Sequence, residues 1–71
     1  MRKYSRIPKN IGENIKRLRQ KRGVSQVKMA EIVGVTPTYI GFIEQGVRNP
    51  SIATVDKIAR ALKVELSELF K

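Results

Sequence analysis

The sequence predicts an all-α fold of five short helices, on three observations. Apolar residues recur at helical spacing in successive segments, whereas no segment alternates with period two over a strand's length. Capping residues and glycines punctuate those segments at the places where helices start and stop. A central stretch, Gln26 to Gln45, has the residue order needed by two helices that cross closely.

Residues 1–9, MRKYSRIPK, hold four basic residues and Pro8 with little apolar periodicity, so a basic arm is expected there. Residues 10–71 are expected to form one domain. Helix 1 should begin after Asn10, an N-cap residue type, with Ile11, Ile15 and Leu18 as its buried stripe. Lys16, Arg17, Lys21 and Arg22 cover its other faces, and Gly23 stops it at C′. Helix 2 is expected from Gln26 to Val33 behind Ser25, with Met29, Ala30 and Val33 inward and Val27 and Ile32 exposed. Helix 3 is expected from Pro37 to Gln45. Thr36 caps it, and Pro37 suits a first helical position that needs no amide donor. Helix 4 follows Ser51 from Ile52 to Leu62, with Ile52, Val55, Ile58, Ala59 and Leu62 on its apolar face. Helix 5 covers Leu66 to Phe70, and at least one of Leu66, Leu69 and Phe70 must close the core.

A 71-residue chain lies near the lower limit for folding alone, with about 60% of its unfolded surface buried, so no second domain is expected within it. Cysteine and histidine are absent, which removes disulfides, thiolate nucleophiles and the usual zinc ligands. The six acidic residues are scattered singly, so no catalytic constellation is expected, nor any cofactor or metal. No apolar run approaches the roughly 18 residues of a membrane span, and no signal peptide is recognisable, so a cytoplasmic location is expected. The net charge of +9 is lopsided. Residues 1–28 carry ten basic residues against Glu13 alone, and residues 29–71 are balanced. Such a one-sided field suits a polyanion.

In the central stretch, with Gln26 as the first of twenty positions, small Ala30 is fifth and Gly34 is ninth. Met29, Val33, Val35, Ile40 and Ile43 fill positions four, eight, ten, fifteen and eighteen. This order resembles the helix-turn-helix of the phage repressor, Cro and Xre-type family, and the resemblance runs from Ile11 to Leu69. It implies a lambda-repressor-like five-helix bundle whose third helix enters the major groove of double-stranded DNA with its N-terminal half against base edges.

The outward face of helix 3 follows from its own periodicity. At about 100° per residue, Thr38, Gly41, Phe42 and Gln45 lie within roughly 50° of the direction opposite Ile40 and Ile43. Pro37 and Tyr39 flank that face, and Glu44 turns toward the buried side. The resemblance places base reading at Pro37, Thr38, Gly41 and Phe42, with Gln45 joining if the helix inserts deeply. Bidentate readout by Gln or Arg is missing from the first four. A Thr38 hydroxyl and apolar contacts of Pro37, Thr38 or Phe42 with thymine methyls remain, so weak direct readout supplemented by DNA shape is expected. Backbone contacts are expected from Ser25, Gln26, Lys28, Thr36, Tyr39, Arg48 and Asn49. The family pattern further pairs Arg19 with Glu44, a structural pair that also orients Arg19 toward phosphate.

The expected function is a sequence-specific transcriptional regulator, a repressor binding two half-sites as a homodimer, with no small-molecule effector or membrane partner. The alternative is an antitoxin or interaction module that binds an acidic protein as well as its own operator.

Overall fold

The computed structural model describes residues 6–71 and is built from five helices, with no strand among the described residues. These are α1 (Ile11–Lys21), α2 (Gln26–Val33), α3 (Pro37–Glu44), α4 (Ile52–Leu62) and α5 (Leu66–Leu69). Residues 1–5 of the expected arm lie outside the described residues. In the remainder of that segment, Ile7 is half-buried against the core and the Pro8 carbonyl accepts a 3.1 Å hydrogen bond from the Ile11 amide.

The helix starts share one device. The Ser25, Thr36 and Ser51 side chains accept from the backbone amides of Lys28, Tyr39 and Thr54 at 2.9, 3.1 and 3.1 Å, each satisfying a donor the first turn leaves open. Asn10 is different. It stands at the start of α1 but makes no side-chain cap; its amide instead donates to the Lys71 carbonyl at 3.4 Å. The position was expected correctly and its bond was not.

Helix ends turn through left-handed residues. Gly34 has φ +88° at the α2–α3 turn, and Gly46 has φ +79° after α3, each in backbone territory that side chains disfavour. Lys63 does the same after α4 at φ +58° without being glycine. α3 closes at Glu44 with Gln45 as its C-cap, and α5 closes at Leu69 with Phe70 as its C-cap, each one residue short of expectation.

The core draws on every helix. Ile11, Ile15 and Leu18 of α1 meet Met29, Ala30 and Val33 of α2, Ile40 and Ile43 of α3, Val55, Ile58, Ala59 and Leu62 of α4, and Leu69 of α5. Ile52, on the same apolar face at the start of α4, is half-buried. Val27 and Ile32 are exposed, as expected. α3 is held from behind by α1 and from the side by α2, while α4 and α5 close the far side of α2 and α1. This arrangement leaves one long face of α3 in solvent. Among the described residues, no helix is long and apolar enough to cross a membrane.

Candidate nucleic-acid interface

The orientation of α3 is set by what it buries. Ile40 and Ile43 are inaccessible, and Glu44 lies beside them at 7% exposure. Opposite, Pro37, Thr38, Phe42 and Gln45 are exposed and Gly41 is partly so, the face expected from the periodicity. Phe42 stands out, an aromatic ring 38% exposed on a helix with ample core to join.

The chain then folds back alongside this face. After Gly46, the amides of Val47 and Arg48 both donate to the Phe42 carbonyl, at 2.8 and 3.2 Å. That return brings Arg48 and Asn49 beside the start of α3. Thr36, Thr38, Tyr39, Phe42, Arg48 and Asn49 together line one open concavity. Two expected base-reading residues and four expected backbone contacts therefore share a single surface. Ser25 opens α2, and Pro50 is buried at the end of the loop that precedes α4.

Two of the expected cationic contacts are already paired. The Lys28 ammonium lies 3.2 Å from Glu31 on the exposed surface of α2, a pairing weak enough in water to yield to a phosphate. Arg19 is engaged more firmly. Its Nε and Nη2 donate to Glu44 at 2.6 and 3.1 Å, its Nη1 donates to the Val24 carbonyl at 2.8 Å, and its side chain is 10% exposed. The Arg19–Glu44 pair that the family pattern suggested is thus formed, and it has fork geometry. Its guanidinium ties α1 to α3 through Glu44 and to the Val24 carbonyl beyond α1, using three of its five N–H donors.

Sequence reasoning overlooked two residues of α1 that fix its packing, one against α3 and one against α5. A Cβ on Gly12 would stand 2.2 Å from the Ile43 carbonyl oxygen, so α1 approaches the last turn of α3 as closely as backbone allows. The signal was available: glycine in the first turn of a helix has an intrinsic cost. The other is Asn14, buried in the apolar stripe of α1. Its Nδ2 donates to the Leu69 carbonyl at 3.0 Å, and its Oδ1 accepts from Arg17 at 3.1 Å. A polar residue inside an apolar stripe was its signal.

A surface helix set across a partner, open on one face and flanked by donors and a cation, has the arrangement of a helix-turn-helix. The HTH_3 helix-turn-helix family model matches residues 15–69, and the chain belongs to that family. It is 34% identical over 59 residues to the immunity repressor protein of Bacillus phage phi105, covering 83% of this chain and 41% of that one. The chain thus spans less than half the length of that curated relative. Among solved structures it resembles the restriction-modification controller protein C.AhdI from Aeromonas hydrophila, with a TM-score of 0.82 and 37% identity over 87% of this chain and 94% of the other. It also resembles SinR of Bacillus subtilis, the master regulator for biofilm formation, in a complex with DNA. There the TM-score is 0.79 and the identity 35%, over 86% of this chain and 98% of the other.

Proposed function

We propose that this protein is a sequence-specific regulator of transcription, a repressor that binds operator half-sites as a homodimer. The observation that carries the reading is the concavity along α3, which brings Thr38 and Phe42 together with Thr36, Tyr39, Arg48 and Asn49. Base edges would meet Thr38 and Phe42, with Pro37, Gly41 and Gln45 on the same face. Phosphates would meet Arg48, Asn49, Tyr39 and Thr36 on one side of the groove, and Ser25, Gln26 and Lys28 at the start of α2 on the other. This division separates contacts that position from contacts that specify.

The charge asymmetry supports a polyanion as the partner, because Lys16, Arg17, Lys21 and Arg22 of α1 are all exposed. The dimer reading is supported by α5, where Leu69 enters the core and Leu66 and Phe70 are half-buried at its edge.

Selection of bound sequences from random duplex DNA at two salt concentrations tests the proposal. A palindromic motif with half-sites about one helical turn apart is the expected result. Affinity that falls steeply with salt but yields no motif would reduce the protein to a non-specific DNA coat.

A further inference from the structure

α3 carries an acidic residue in its last turn, on a helix whose outer face is proposed to lie against phosphates. Burial against Arg19 removes most of its repulsion, but Glu44 makes another bond that packing alone does not require. Its Oε2 accepts from Arg19 Nε, while its Oε1 accepts from both Arg19 Nη2 and the side-chain amide of Gln26, the latter at 3.0 Å.

The chemistry of that third bond is directional. A carboxylate offers only acceptors, and a glutamine side chain has a donor end and an acceptor end. Gln26 must therefore turn its nitrogen, not its oxygen, toward Glu44. The nitrogen has two hydrogens, so one can serve Glu44 while the other is presented elsewhere. Its surroundings indicate where. A Cβ on Gly41 would stand 3.8 Å from Gln26 Nε2, so the amide borders the exposed face of α3 at the one position there that has no side chain. An amide can donate to two anions at once. A lysine at this position would instead be neutralised by Glu44.

We propose that Glu44 is a positioning residue for DNA binding, which acts through Gln26 to present one amide hydrogen past Gly41 to a single backbone phosphate. This rests on the reading of α3 as the DNA-facing helix. Glu44 itself touches no DNA; it fixes which end of Gln26 faces outward and restricts its rotamers. Gly41 keeps the opening. Alanine there meets the amide at ordinary contact distance, whereas a larger side chain would cover it.

The test uses the wild-type chain and duplexes carrying a neutral methylphosphonate at one backbone position at a time, built on the selected site. One position in each half-site should weaken wild-type binding about tenfold, the effect of losing one hydrogen bond to a charged oxygen. Gln26→Ala should bind the unmodified duplex about tenfold more weakly and become indifferent to that position alone, with the rest of the profile intact. Glu44→Asp keeps the charge opposite Arg19 but shortens the reach to Gln26, and should lose sensitivity at the same position. Gly41→Leu should do likewise, and Gly41→Ala should not.

A second readout needs no variant at Glu44. The two side-chain amide hydrogens of Gln26 in the wild-type chain, followed by NMR, should exchange slowly at one site when free and shift at the other on adding duplex. Gln26 hydrogens unmoved by saturating unmodified duplex overturn the proposal, as does a Glu44→Asp profile identical to wild type. Wild-type protein that finds no preferred site in unmodified DNA overturns the regulatory reading beneath it, and that outcome is visible before any modified duplex is made.

Discussion

α3 has a glycine on each side of it, and the two are there for opposite reasons. Behind the helix, Gly12 of α1 lies so close that a Cβ would stand 2.2 Å from the Ile43 carbonyl oxygen and 3.0 Å from that of Glu44. In front, Gly41 of α3 itself faces open space bounded only by the Gln26 amide at 3.8 Å. The rear glycine is fixed by backbone-to-backbone packing, with no flexible side chain to move aside. The front glycine is unconstrained by the fold, so a reason for it must come from what approaches the helix. One side of α3 is thus committed to the protein and the other is left for a partner, and substitutions on the two sides should separate stability from binding.

The largest effect should come from the rear. Glu44→Ala leaves Arg19 buried without its carboxylate, and chemical denaturation should show a loss of about 3–5 kcal/mol. Gly12→Ala forces α1 away from α3, and the same measurement should show about 3 kcal/mol lost, together with weaker DNA binding because α3 shifts. Asn14→Ala strips the Leu69 carbonyl of its buried donor at a cost of about 1–3 kcal/mol, and hydrogen exchange in α5 should accelerate first. On the front face the sign reverses. Gly41→Ala should raise the unfolding free energy by up to about 1 kcal/mol, since nothing obstructs the new methyl and helix propensity improves.

The smallest effect concerns base reading. Replacing thymine by uracil at the position beneath Phe42 removes one methyl, worth about 0.8 kcal/mol or roughly fourfold in affinity. Phe42→Ala should be indifferent to that replacement, and equal sensitivity in both proteins would remove Phe42 from the reading face.

The front of α3 was legible in the sequence because a helix's periodicity fixes its outward side once Ile40 and Ile43 are known to be inside. Helix boundaries were legible wherever Ser25, Thr36 and Ser51 announced them, since their caps are local chemistry. The rear was only partly so. Arg19–Glu44 emerged from a family pattern, and its geometry shows why Arg19 is drawn from the surface into the α1–α3 contact. Gly12 and Asn14 depend on partners 31 and 55 positions away in the chain, Ile43 and Leu69, which no local periodicity encodes. Asn10 failed for the same reason: its residue type suited a cap, and the Lys71 carbonyl captured it. Lys63 shows the converse, a left-handed turn where the sequence has no glycine to announce it.

The division of α3 into a committed rear and an available front is tested most directly by an NMR titration of the wild-type chain with its selected duplex. Backbone amides from Thr36 to Phe42, with those of Arg48, Asn49 and the first turn of α2, should show the largest shifts, while α4 and α5 stay near their free positions. Shifts centred on α4 and α5, with Thr38, Gly41 and Phe42 unmoved, would contradict the account.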